Sequence, residues 1–330
     1  MHPFLGALLT GGVLYGAALL YTIYRYLFKR SGLKYKGKHV FITGGSTGLG
    51  LSIATKLFRK GAKVTIIARN EDKLKKAAET ISKKGDGRVQ YFTFDCSNPD
   101  VNEVEKLLDK AEGEFGHIQY LFCTAGFSLP NMFLEADQTF FERQINTNYL
   151  GYVKMSQPVA KRMAERNSYN KGSKLGDSGT IVYTSSILGV LTCVGYSPYS
   201  PTKSAIKALA DIVRIEMAPH NVGVHLFLPG SILSPGYEEE NKYKPEVTKK
   251  IEGSADFLAP EKCADILLSG MGRGDYIVTT EMLFEFINPT SIGSCDRDNF
   301  LFHLCMAPIA VILNYVINFI NHKAMRDSVK

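Results

Sequence analysis

The sequence predicts an α/β protein built on one parallel sheet with helices on both faces. Three observations carry this. Short, β-rich apolar runs alternate with helix-length segments through the middle of the 330-residue chain. Those runs are apolar throughout, which suits strands buried on both faces. A glycine-rich loop follows the first run and opens into a helix, as in sheets that bind dinucleotides at their C-terminal edge.

The predicted strands are 39–43 (HVFIT), 63–68 (KVTIIA), 89–94 (VQYFTF), 118–123 (IQYLFC), 180–184 (TIVYT), 222–228 (VGVHLFL) and, on weaker patterning, 275–279. Helices are predicted near 48–60, 71–84, 99–115, 138–167, 200–217 and 260–270. The stretch 168–179 (SYNKGSKLGDSG) reads as a polar surface loop. A 45% hydrophobic and 22% charged composition supplies a sizeable core and excludes a disordered chain. Six cysteines without a C-x-x-C pair exclude a disulfide scaffold and a structural zinc site, and seven histidines show no ligand-like spacing, so no metal is expected.

The two ends differ from this pattern. Residues 4–28 (FLGALLTGGVLYGAALLYTIYRYLF) carry one charge, Arg25. About 20 apolar residues span a bilayer, so the run is long enough. Met1-His2-Pro3 lacks Lys and Arg, whereas Lys29, Arg30, Lys34, Lys36 and Lys38 follow the run. That order predicts an uncleaved transmembrane anchor with its C-terminal side in the cytosol. The net charge of +7 is partly this local cluster, which points to a lipid bilayer and not to nucleic acid. A second apolar stretch, 300–320, contains His303, Pro308, Asn314 and Asn318 and precedes a basic tail. A single span there would place that tail across the membrane from the basic linker, so an interfacial or re-entrant helical segment is expected, with a helix pair formed with 281–295 as another option. The domain reading is anchor 1–30, basic linker 31–38, nucleotide-binding domain 39–279 and membrane-associated tail 280–330.

After the first strand comes Thr43-Gly44-Gly45-Ser46-Thr47-Gly48-Leu49-Gly50. Gly44 permits a tight turn, Gly48 a close approach of backbone to pyrophosphate, and Gly50 close packing of helix on strand; the helix start then offers N–H groups to phosphates. The same residues spell G-x-S-x-G, but a hydrolase elbow is rejected because the loop lies in the first βα turn and no partner acid and histidine stand out. The second strand ends Ala68-Arg69, where NAD-binding chains carry an acid. Arg69, with Ser46 and Lys73, suits a 2′-phosphate, so NADPH/NADP+ is the expected cofactor.

Tyr199-Ser200-Pro201-Thr202-Lys203 carries Y-x-x-x-K. On a helix, i and i+4 share a face, so phenol and ammonium can enter one cleft, where the cation lowers the phenol's pKa. Thr184-Ser185-Ser186 ends a predicted strand, at the edge where such sheets bind ligands, and Ser186 can donate to a carbonyl oxygen. Tyr196 meets Ser200 at i+4 and is read as a pocket or packing residue, and Ser185 as structural.

The order Thr43–Gly50, Arg69, Asp95, Ala125-Gly126, Asn148, Ser186, Tyr199, Lys203, Pro229-Gly230 resembles the short-chain dehydrogenases/reductases over roughly residues 36–275. The runs at 68–74, 145–151, 194–217 and 244–253 are similar to those of family members, fungal ones in particular, that reduce a long-chain sphingoid ketone. The resemblance implies a Rossmann-type doubly wound sheet and NADPH-dependent ketone reduction. It implies Tyr199 as proton donor, Lys203 as the group that lowers its pKa and bonds ribose, Ser186 as carbonyl orienter and Asn148 as holder of a relay water. Gly44, Ser46, Thr47, Gly48, Leu49, Gly50, Arg69, Lys73, Asp95, Ala125, Gly126, Tyr199, Lys203, Pro229, Gly230 and Ile232 would contact the cofactor. Asp95 has the competing reading of a loop cap. The family's N-N-A-G is Cys123-Thr124-Ala125-Gly126 here, so the usual asparagine side-chain bonds are expected to be lost. The loop 231–258 would form a lid; its Glu238, Glu239 and Glu240 read chiefly as a solvated run, with attraction of a substrate ammonium as the other reading. The family also implies a homodimer through helices near 138–167 and 200–217, and residence in the endoplasmic reticulum membrane facing the cytosol. Other membrane-bound members act on 3-ketoacyl thioesters, steroids or retinoids, and the core motifs do not separate these.

Overall fold

The computed structural model describes residues 33–85, 87–97, 99–167, 178–253, 257–281, 284 and 300–328, with Gly16, Leu20, Tyr21 and Tyr24. The apolar run 4–28, most of the surface loop 168–179 and the segment 285–299 lie essentially outside the described residues, so the anchor and the 281–295 pairing do too.

Seven parallel strands form one sheet in the order β3-β2-β1-β4-β5-β6-β7. They are β1 (His39–Thr43), β2 (Lys63–Ala68), β3 (Val89–Thr93), β4 (Ile118–Cys123), β5 (Gly179–Thr184), β6 (Val222–Leu228) and β7 (Ile277–Thr279). The order reverses between β1 and β4, where Thr43 lies beside Ile67 on one side and Cys123 on the other. A crevice opens at the C-terminal ends on such a switch point.

Because strand side chains alternate, successive residues feed opposite cores. Phe41, Ile67, Leu121, Ile181 and Leu226 face one layer, completed by α3 (Val101–Phe115), α5 (Gly151–Asn167) and α6 (Ser200–Met217). Val40, Ile42, Val64, Phe122, Val182 and Phe227 face the other, completed by α1 (Gly48–Arg59), α2 (Glu71–Ser82) and α9 (Pro260–Arg273). Burial on both faces is why these strands read as unbroken apolar runs.

Two segments differ from expectation. The predicted helix 138–167 is α4 (Gln138–Ile145) and α5 separated by one π-helical turn, Asn146–Leu150. The predicted lid loop contains two helices, α7 (Pro235–Tyr243) and α8 (Glu246–Glu252). Ser234 caps α7 through its hydroxyl, which accepts from Tyr237 N–H at 3.4 Å, and Pro235 opens the first turn. Their polar composition hides them from a search for apolar periodicity.

The C-terminal stretch is one helix, α10 (Phe300–Ser328), with Pro308 inside. His303, Met306 and Ala310 are buried at helical spacing, while Val311, Ile312, Tyr315 and Phe319 are exposed. The helix packs against α8, and Asn321 Nδ2 donates to the Thr192 carbonyl at 3.0 Å. Among the described residues no helix is long and apolar enough to cross a membrane.

Candidate active site

The β1–α1 loop is shaped by its neighbours. Gly44 has φ +69°, and a Cβ there would sit 2.8 Å from Ala125 Cα. A Cβ on Gly50 would run into the Gly44 carbonyl. Only glycine fits either position. Thr124 supplies side-chain bonding of its own where the usual asparagines are missing. Its hydroxyl donates to the Thr43 carbonyl at 2.5 Å, while Thr43 Oγ1 accepts from the N–H groups of Thr124 and Ala125, each at 3.1 Å. These bonds lock the ends of β1 and β4 together behind the loop.

Thr47 caps α1 with extended backbone but no side-chain bond, so the first-turn N–H groups remain open to the cavity. That cradle fits a pyrophosphate. Arg69 and Lys73 are exposed at the end of β2 and the start of α2 and border the same cavity with Ser46. Asp95 borders it too, and its Oδ1 accepts from Ser97 N–H at 2.8 Å and Ser97 Oγ at 2.7 Å. It therefore caps its loop while facing the cleft. Ile232 pairs with Leu258 across the base of the lid.

Every predicted site residue except Asn148 borders this one cavity of about 720 Å³. Tyr199 caps α6 with helical backbone, and its carbonyl accepts from Thr202 N–H at 3.0 Å and Lys203 N–H at 3.4 Å. The phenol and the Lys203 chain thus share a face, with Lys203 Nζ 5.6 Å from the Tyr199 ring centre. Lys203 Nζ donates to the Thr184 carbonyl at 3.1 Å, and burial lowers its pKa to about 8. Burial pushes the Tyr199 phenol above the ordinary tyrosine range; the Glu240 charge adds to this and the Ser186 hydroxyl opposes it. Ser186 Oγ accepts from Leu188 N–H at 3.1 Å, which fixes the hydroxyl beside that phenol.

Asn148 sits behind the cavity, fully buried, on the π-helical turn. Its Oδ1 accepts from Phe127 N–H at 3.1 Å; its Nδ2 donates to the Phe127 carbonyl at 2.9 Å and to Thr202 Oγ1 at 3.2 Å. A Cβ on Gly126 would lie 3.0 Å from Asn148 Oδ1 and 3.6 Å from Lys203 Nζ.

The cavity also gathers residues that sequence spacing did not connect: Ser128, Glu252 and Glu281. Glu240, read chiefly as part of a solvated run, is corrected: it turns inward from α7. Tyr196 is buried, and its hydroxyl donates toward Oε1 of both Glu240 and Glu252, each at 2.6 Å. The Glu240 to Lys244 spacing was the one available signal, since i and i+4 share a helix face. It is too common to single out a site.

A family model described as short chain dehydrogenase matches residues 38–245. Among curated proteins, the chain is 34% identical to a 3-ketodihydrosphingosine reductase of Cryptococcus neoformans over 83% of this chain and 80% of that protein. It is 33% identical to one of Debaryomyces hansenii over 91% and 95%. It is 35% identical to one of Mus musculus over 73% and 70%. Among solved structures, levodione reductase superposes with a TM-score of 0.65 at 23% identity, over 75% of this chain and 97% of that one. A short-chain dehydrogenase from Sphingobium yanoikuyae in complex with NADPH gives 0.63 at 23%, over 74% and 88%. At these identities the structures share the fold.

Proposed function

The chain belongs to the short-chain dehydrogenase family, and we propose that it reduces 3-ketodihydrosphingosine to dihydrosphingosine with NADPH. The curated relatives carry the substrate, since three lineages bear that name at 33–35% identity. One observation carries the chemistry. Tyr199, Ser186 and Lys203 converge in the cavity that also holds the glycine loop.

The helix start at Gly48–Gly50, the glycine turn and the cations Arg69 and Lys73 fit a phosphorylated dinucleotide, and Ala68 offers no acid to favour an unphosphorylated ribose. When bound, NADPH supplies the hydride that reaches C3 of the ketone. The chain supplies the rest. Ser186 donates to the ketone oxygen and orients it. Tyr199 gives its proton to that oxygen as negative charge builds there. Lys203, held by the Thr184 carbonyl, stabilises the phenolate left behind. Asn148 holds the Phe127 backbone, and with it the wall beside Gly126, in place.

The same reading places the enzyme on the endoplasmic reticulum membrane, facing the cytosol. The apolar run 4–28, the basic cluster after it and the exposed apolar flank of α10 support this. Exposed Ile212 and Ile215 on α6 support a homodimer through that helix. Protease protection of microsomes and light scattering in detergent test these two points.

The deciding assay incubates detergent-purified protein with NADPH and either 3-ketodihydrosphingosine or a 3-ketoacyl thioester, with product followed by mass spectrometry. Turnover of the sphingoid ketone alone supports the proposal. Turnover of the thioester alone replaces the substrate and leaves the residue roles standing.

A further inference from the structure

We propose that Glu240 and Glu252 form an ammonium site beside Tyr199 that selects ketones bearing a protonated amine next to the carbonyl. This rests on the sphingoid-ketone reading above, whose substrate carries an ammonium at C2, next to the C3 ketone, and a hydroxyl at C1, one carbon further on.

The lid helices build the site. Glu240 on α7 and Glu252 on α8 reach the cavity from opposite sides of the turn holding Lys244 and Pro245. Their carboxylates are about one-fifth exposed, whereas Lys244 is almost fully buried. Lys244 Nζ lies 3.2 Å from Glu240 Oε1 and 2.7 Å from Glu252 Oε2. Within this cluster two carboxylates thus face one ammonium, leaving one excess negative charge in a partly desolvated corner of the cavity, where an uncompensated charge is costly. Tyr196 cannot balance it. The phenol has one hydrogen, yet its oxygen lies 2.6 Å from both carboxylates, so one contact sets two acceptors against each other. A further cation relieves both.

A separate observation on another wall points to a polar ligand. Ser128 is 7% exposed, its hydroxyl has no hydrogen-bond partner among the described residues, and it borders the same cavity. A buried hydroxyl left unpaired is destabilising. Ser128 lies between Gly126, beside Lys203, and Asn131, which pairs with Tyr196. A ligand with its ketone at Tyr199 and its ammonium at the carboxylates can offer its hydroxyl to Ser128.

The location suits selection. The Tyr196 and Tyr199 rings are 6.0 Å apart, and the Glu240 charge acts on Tyr199, holding its proton more tightly. A substrate ammonium offsets that charge. The substrate then turns its own proton donor into a stronger acid, which an amine-free ketone cannot do.

The test uses the full chain in detergent with NADPH and three ketones of equal chain length: the free-amine sphingoid ketone, its N-acetyl derivative and the 2-desamino analogue. The wild type is expected to prefer the free amine by about tenfold to a hundredfold in kcat/KM. Glu240→Gln and Glu252→Gln, which keep shape and hydrogen bonding, are expected to erase that preference while NADPH binding, read by fluorescence, persists. A merely structural ion pair would lower all three rates together. Equal wild-type rates on the amine and desamino ketones overturn the site even if a variant fails to fold, and so does an unchanged preference in both variants. Failure of the wild type to reduce any of the three overturns the functional reading itself.

Discussion

Asn148 and Phe127 pair at two points: the side-chain amide of Asn148 accepts from the Phe127 N–H and donates to the Phe127 carbonyl. This two-point clamp holds the strand-end segment that carries Gly126 and Ser128 into the cavity. Asn148 lies on the π-helical turn Asn146–Leu150 that separates α4 from α5. Asn148→Ala strands both backbone groups in a partly buried setting. A destabilisation of about 1–3 kcal/mol is expected, read by thermal unfolding, together with loss of turnover.

Tyr199→Phe removes the proton donor and leaves ring packing intact. Turnover is expected to fall by about a hundredfold or more. NADPH binding, measured by fluorescence titration, should hardly change. Survival of activity would remove Tyr199 from the mechanism.

Arg69→Ser removes the guanidinium at the end of β2. A charged hydrogen bond contributes about 1.5–3 kcal/mol, so KM for NADPH should rise about tenfold or more while KM for NADH stays nearly fixed. Equal loss for both cofactors would show that Arg69 shapes the loop and does not read the 2′-phosphate.

Lys203 makes stability depend on pH in a defined direction. Burial lowers its pKa to about 8 from the ordinary 10.5. The fold therefore disfavours the cation, and the cost is fully present below about 8. Between the two values the unfolded chain holds more protons than the folded one, so stability rises with pH. The stability of wild type relative to Lys203→Met should shift in favour of wild type from pH 8 to 10.5 in chemical denaturation of the cofactor-free protein. A flat difference would mean that Lys203 is solvated.

Gly50→Ala places a methyl against the Gly44 carbonyl and 2.8 Å from Thr124 Oγ1. Backbone cannot yield there as a side-chain end could. The expected result is a loss of about 1–3 kcal/mol and weaker NADPH binding, read by unfolding and titration on one sample.

Most of the sheet and the glycine loop could be read from the chain because their signals are short-range. Strand 39–43 declares itself through four consecutive apolar or β-favouring residues, Val40–Thr43, and Tyr199 and Lys203 through an i, i+4 spacing that any helix converts into a shared face. Gly44 and Gly50 stand out because few other reasons place glycines there. The helices α7 and α8 escaped notice because YEEENKY and EVTKKIE bury little and show no apolar stripe.

Residue type and local spacing therefore set the alternation of strands and helices, the cofactor loop and the tyrosine–lysine pair. Tertiary structure alone decided that Glu240 and Glu252 meet over Tyr196, that Ser128 is left without a partner among the described residues, and that Thr124 bonds Thr43 where the usual asparagines are missing. The physical reason is range. Helix and strand periodicity repeat within a few residues, whereas the charge balance of a cavity is a sum over side chains from distant segments. That sum exists only once the sheet has brought their ends to one edge.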